Sequence, residues 1–138
     1  MIVLDTNVIS ELTKLAPDSR VVSWVDEFAS DDVATTAITA AELLYGVARL
    51  PEWRRKRELG SAIAGLLRDD FEGRILAFDE KAARCYAEIV TRREWIGRPI
   101  GTADAEIAAI CQAVEATLAT RNTGDFEETG ILLVNPWT

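Results

Sequence analysis

Short apolar runs alternate with longer amphipathic stretches along the whole chain. Ile2-Val3-Leu4 is a short buried strand by this pattern, and Asp5-Thr6-Asn7 starts a helix behind it. From Arg20 to Ala29, Val21, Val22, Val25 and Phe28 recur at helical spacing. Val33 to Thr36 reads as the second strand, followed by a helix from Thr39 to about Leu50. Thr39-Ala40-Ala41-Glu42 fits a capping box, with Thr39 as cap and Glu42 reaching back to it. Residues 51 to 70 open with Pro51, which suits a helix N-terminus, and run through a charged turn into Ile63, Leu66 and Leu67.

The same alternation continues to the end. Arg74 to Phe78 reads as a third strand, and Asp79 to about Trp95 as a long helix. A further helix runs from about Thr102 to Val114, with Ala103, Ile107, Ile110, Cys111 and Val114 on one face. Thr117 to Thr120 is a fourth strand and Ile131 to Val134 a last one. Strands interleaved with helices predict β-α units around a short parallel sheet. The 138 residues fit one domain, since single cores divide only above about 250. The expected architecture is therefore a helix-rich α/β domain over residues 1–138.

Composition narrows the chemistry. The chain has no histidine, which excludes a Ser-His-Asp triad, a Cys-His pair and an ordinary histidine zinc site. Hydrolysis here would fall to carboxylates, hydroxyls or a recruited metal ion. The net charge of -8 argues against a broad basic face for coating nucleic acid, although screening leaves local phosphate contacts open. Twelve of the fifteen basic residues are arginine, with only Lys14, Lys56 and Lys81 beside them. Arg49, Arg54, Arg55, Lys56 and Arg57 form a basic cluster interleaved with Glu52 and Glu58, readable as a solvated face or as a phosphate contact. Cys85 and Cys111 lack CxxC spacing and read as reduced thiols. No basic n-region precedes Asp5 and no apolar run approaches the roughly 18 residues of a membrane span, so the expected location is the cytoplasm.

The acids are not scattered at random. Asp5 ends the first strand, Glu42 lies shortly after the second, Asp79 follows the third, and Asn122 and Asp125 follow the fourth. Asp104 opens a helix. In an open parallel sheet, ligands bind outside the carboxyl ends of the strands, so these acids could meet at one edge. Each also has a plain explanation, since acids in first helical turns cap free N–H groups and offset the helix dipole. Together they repel: two charges about 5 Å apart cost roughly 3 kcal/mol at an effective dielectric of 20. Such a cluster shares protons or binds a hard cation, and Mg2+ and Mn2+ prefer oxygen ligands.

The residues resemble a known family at this point. Met1 to Glu11 (MIVLDTNVISE) looks like the opening of PIN-domain proteins, in particular the VapC/FitB-like toxins of bacterial toxin-antitoxin pairs. Thr36 to Leu43 is similar to their second acidic motif, Thr102 to Ala109 to their third, and Ala119 to Phe126 to their fourth. The ending Val134-Asn135-Pro136-Trp137 fits as well. The ordered set covers essentially the whole chain.

The resemblance implies a PIN-like three-layer α/β/α fold and a Mg2+- or Mn2+-dependent endoribonuclease that hydrolyses RNA phosphodiesters with metal-activated water. Carried over by position, Asp5, Glu42 and Asp104 are metal-site carboxylates. For the fourth position the reading favours Asp125, directly or through water, with Asn122 as a polar group beside it. Thr6 and Thr120 are candidates to orient a carboxylate or the attacking water, or to cap strand ends. Asp79 has no counterpart and reads as a cap. The implied partners are an RNA substrate, a second copy of the chain, and an antitoxin whose basic tail suits an acidic pocket, with DNA reached only through that antitoxin. Trp53, Trp95 and Tyr86 read as packing or interface residues.

Two other classes stand beside this one. A Mg2+-binding receiver domain wants an acidic pair after the first strand and a late lysine, whereas Asp5 stands alone and the last lysine is Lys81. A catalytically silent PIN domain acting as a binding module would be expected to lose a core acid.

Overall fold

The computed structural model describes residues 1–138. Its first half contains β1 (Ile2–Leu4), α1 (Thr6–Leu12), α2 (Ser19–Asp26), β2 (Val33–Thr36), α3 (Ala37–Ala48) and α4 (Arg54–Gly65). A π-helical turn, Leu66–Asp70, extends α4. Then come β3 (Ile75–Leu76), α5 (Glu80–Trp95), α6 (Thr102–Ala113), β4 (Thr117–Ala119), a 3-10 turn at Thr123–Phe126, and β5 (Leu132–Val134). All strand pairs are parallel, and the sheet order is β3-β2-β1-β4-β5. No helix is long and apolar enough to cross a membrane.

Strand periodicity divides the core in two. Val3, Ala34 and Leu118 face one side, where they pack with Ala82 and Ile89 of α5 and with Ile107 and Ile110 of α6. Their neighbours Leu4, Val33 and Ala119 face the other side, with Val8 and Ile9 of α1, Val21, Leu43 and Ile63. Three layers result, with α5 and α6 over one face and α1 to α4 over the other. The α/β/α expectation is met.

Several boundaries differ from the sequence pattern. Thr36, not Thr39, caps α3, its Oγ1 accepting from Thr39 N over 3.1 Å. The capping box read at Thr39 is therefore absent, and Glu42 lies in the second turn, clear of the helix terminus. The physical reason is competition: a threonine ending β2 can cap one turn sooner than a threonine three residues on. Pro51 lies before α4 rather than in its first turn, because Trp53 is the residue that flanks the helix. α6 is buried nearly all round, with Ala105, Ala108 and Ala109 as enclosed as Ile107 and Ile110, whereas Val114 is exposed. The small side chains of these alanines let the helix pack against the sheet and α5 at once. The two thiols are free; burial pushes that of Cys111 up to about 12.

Chain order places a switch point at the middle of the sheet. From β1 the chain moves outward to β2 and β3, then returns to lay β4 and β5 on the opposite side. The crevice for a ligand is expected where that order reverses, beyond the carboxyl ends of β1 and β4.

Candidate active site

Asp5 and Thr120 leave β1 and β4 side by side, because Leu4 is in register with Ala119 and Asp5 N donates to Ala119 O over 2.9 Å. The Asp5 carboxylate is buried and held by three donors. Its Oδ1 accepts from Thr6 N (2.8 Å), and its Oδ2 accepts from Thr120 Oγ1 (2.7 Å) and Asn7 Nδ2 (3.2 Å). Burial nevertheless raises its pKa, with help from the charge on Glu42, against the lowering by these hydrogen bonds. Thr120 Oγ1 donates to Asp5 and accepts from Asn122 N (3.1 Å) and Asn7 Nδ2 (3.3 Å). One proton and two lone pairs are then all used, so this hydroxyl orients the Asp5 carboxylate and has nothing left for water.

Glu42 meets the site from α3. Its Oε1 accepts from Thr6 Oγ1 at 2.7 Å, and that hydroxyl also lies 3.2 Å from Thr39 Oγ1. Asp104 arrives in the first turn of α6, half-buried and without a hydrogen-bond partner. Burial first, and then the charges on Asp5, Asp125 and Glu42, push its carboxyl up to about 6, against a smaller pull from Arg93. An acid that caps a helix is held by N–H groups, and Asp104 is held by none. Asp79 shows the contrast: its Oδ1 accepts from Ala82 N (2.9 Å) as the cap of α5, and it does not line the cleft that Asp5, Glu42 and Asp104 share.

Asp5, Glu42 and Asp104 line one cleft of about 460 Å3, together with Thr6, Asn7 and Asn122. Asp125 is exposed on the 3-10 turn and does not line it, but its charge reaches Asp104. The structure thus brings together Asp5, Glu42, Asp104, Thr6, Thr120 and Asn122, with Asp125 at the margin. The donors offered are oxygens, the set that hard divalent ions take. No three acids or thiols are arranged to hold one ion by themselves. A divalent ion here would have to keep part of its water shell and reach these oxygens in part through it.

A PIN domain model matches residues 2–132. The chain belongs to the PIN-domain family. This PIN domain is 42% identical over 137 residues to the VapC ribonuclease Y4jK of Sinorhizobium fredii, across 99% of this chain and 98% of that one. It is 43% identical over 137 residues to the toxin FitB of Neisseria gonorrhoeae, across 99% of each. A solved structure of FitAB bound to an IR36 DNA fragment superposes with a TM-score of 0.93 at 42% identity, covering 100% of this chain and 96% of that one.

Four residues of this PIN domain escaped the sequence reading. Asn7 binds Asp5 and Thr120 through its amide nitrogen and accepts from Arg121 N through its oxygen (3.1 Å). Its position two residues after Asp5 was the available signal. Arg121 and Trp137 also line the cleft. Arg93 is buried, donating from Nε to Arg98 O (2.6 Å) and from Nη1 to Asp125 O (3.1 Å) and Glu127 O (2.8 Å), which ties the 3-10 turn to α5. Nothing in the sequence around Arg93 distinguishes it from Arg92.

The other singled-out residues divide. In the basic cluster Arg54 pairs with Glu58 and Lys56 with Glu52, both at 2.7 Å, while Arg55 and Arg57 have no ion pair. Tyr86 packs edge-on against Phe78, but Trp53 and Trp95 are 73% and 89% exposed and pack no core.

Proposed function

We propose that this PIN domain, acting as one unit over residues 1–138, is a divalent-metal-dependent endoribonuclease and the toxin of a toxin-antitoxin pair. The observation that carries the reading is Asp104: a carboxyl with no partner, set among Asp5, Glu42 and Asp125, whose repulsion a bound cation would relieve. Asp5, Glu42 and Asp104 would hold Mg2+ or Mn2+ partly through water, with Asp125 or Asn122 completing the shell. When bound, such an ion supplies positive charge against a phosphate and eases loss of a proton from water.

The chain's own residues do the rest. Hydrogen bonds from Thr120 and Asn7 oppose the burial that raises the Asp5 pKa and aim its carboxylate at the cleft, and Thr6 holds Glu42 beside it. Asp104 supplies the negative charge that would attract an ion and, without one, binds a proton only below about pH 6. The likeness to VapC ribonuclease and to FitB supports RNA as substrate and an antitoxin as partner, with a second copy of the chain expected in the complex. The FitAB–DNA structure supports DNA contact through the partner, since this chain of net charge -8 presents no broad basic face. The two free thiols suit the reducing cytoplasm.

The test is cleavage of a panel of RNAs by purified protein with Mg2+ or Mn2+, with EDTA, and with Asp5→Asn and Asp104→Asn. Cleavage that survives chelation or both substitutions overturns the mechanism.

A further inference from the structure

The cleft also carries opposite charge. Two cations line it, Lys14 and Arg121. Lys14 is consumed, its Nζ 2.9 Å from Glu11 Oε1. Arg121 is not. Its guanidinium makes no hydrogen bond within the protein, and no carboxylate lies within 4.0 Å of it. Asp18, an acid that feels its charge, is already bound by the Nε and Nη2 of Arg20 at 3.1 and 2.8 Å.

The side chain is nevertheless held in place. Its Cζ lies 4.9 Å from the centroid of the Trp137 ring, and that ring is 6% exposed and packed in the core beside Leu4 and Val8. Its backbone N–H is fixed by Asn7 Oδ1, the same amide that binds Asp5. A guanidinium lying on a rigid aromatic floor keeps its N–H edge free and preorganised, a form suited to planar recognition of phosphate oxygens. Here that edge belongs to the cleft that contains the acids.

We propose that Arg121 is a phosphate-binding residue of this site, taking an oxygen of the RNA backbone in the cleft that Asp5, Glu42 and Asp104 also line. Acids that attract a cation cannot themselves hold a polyanion, and Arg121 supplies the complementary contact. The inference rests on the ribonuclease reading for the identity of the polyanion, but its test reads binding apart from cleavage.

The experiment measures binding of a short fluorescein-labelled single-stranded RNA by anisotropy over a series of KCl concentrations, with Ca2+ in place of Mg2+. Wild type is compared with Arg121→Ala, Arg121→Lys and, as a charge-matched control, Arg84→Ala, which removes an exposed arginine of α5. Arg121→Ala is expected to weaken binding at least about tenfold and to reduce the steepness of log K against log salt by roughly 0.7, the share of one phosphate contact to a single strand. Arg121→Lys is expected to keep the steepness and lose part of the affinity, because it keeps the charge but not the planar fork. Arg84→Ala is expected to leave both unchanged. Equal affinity and slope in Arg121→Ala, an equal loss in Arg84→Ala, or no measurable binding by wild type overturns the proposal. Binding that depends on Arg121 without cleavage by wild type in Mg2+ or Mn2+ overturns the ribonuclease reading alone.

Discussion

Thr120 Oγ1 donates to Asp5 Oδ2 over 2.7 Å, joining residues 115 positions apart at the carboxyl ends of two neighbouring strands. This bond lies at the point where strand order reverses, and it commits the only proton of the hydroxyl to the carboxylate. Thr120→Val keeps the shape and removes the donor. It is expected to cost about 1–3 kcal/mol of stability, because Asp5 and two N–H groups lose a buried partner. Metal affinity or cleavage is expected to fall roughly 10- to 100-fold, as for other groups that orient a metal ligand. Mn2+ titration and RNA cleavage measure this, with Thr120→Ser retaining both; an unchanged Thr120→Val refutes the role.

Asp104 makes stability depend on pH with a sign opposite to that of ordinary paired acids. Its carboxyl ionises at about 6 in the folded chain against 3.8 ordinarily, so between these values the folded state holds a proton that the unfolded state has released. Stability of the metal-free protein therefore falls as pH rises through this window, and the raised pKa of Asp5 adds to the fall. Glu11 and Asp18, whose pKa values are lowered by bonds to Lys14 and Arg20, act with the opposite sign only below their ordinary values of 4.5 and 3.8. Thermal midpoints in EDTA are expected to drop from pH 4.5 to above 6, and Asp104→Asn to flatten the curve. Mn2+ is expected to raise the midpoint above pH 6 and much less at pH 4.5, since ion and proton compete. A midpoint that rises through this range contradicts the arrangement.

Asp104 and Asp79 are expected to respond in opposite ways. Asp104→Asn removes a charge repelled by its neighbours, so it should stabilise the metal-free protein above pH 6 while abolishing cleavage. Asp79→Ala removes a cap and should cost about 1 kcal/mol while leaving cleavage intact. Urea unfolding and cleavage rates on the same two variants distinguish a site acid from a structural one. Loss of cleavage in Asp79→Ala would place that residue in the site after all.

Arg93 should matter for stability more than any other arginine. Its guanidinium satisfies the carbonyls of Arg98, Asp125 and Glu127 from a buried position. Arg93→Met strands these groups and releases the turn that bears Asp125, at an expected cost of roughly 3 kcal/mol in urea unfolding. Arg92→Met is the neighbouring control, expected within about 0.5 kcal/mol of wild type. Equal effects would show that the buried bonds carry no particular weight.

Much of this protein can be read from the chain alone. The period-2 strands, the helical stripes between them and the polar residues at their junctions are local patterns, and local sterics and burial determine them. Hence the elements, the parallel α/β class and the set of acids at the junctions follow from spacing, whereas the choice of Asp5, Glu42 and Asp104 from that set follows from the family resemblance. Which acids act as caps does not follow, because a cap depends on where the helix begins. The start of α3 at Ala37, set by Thr36, releases Glu42 from the terminus, whereas Asp79 stays bound to Ala82 N. Nor does spacing show that β4 returns beside β1, which alone brings Thr120, Asn122 and Arg121 to Asp5 and Asn7. Those contacts join segments more than 110 residues apart and exist only once the sheet has paired. Local propensity therefore determined the parts, and strand order determined the site.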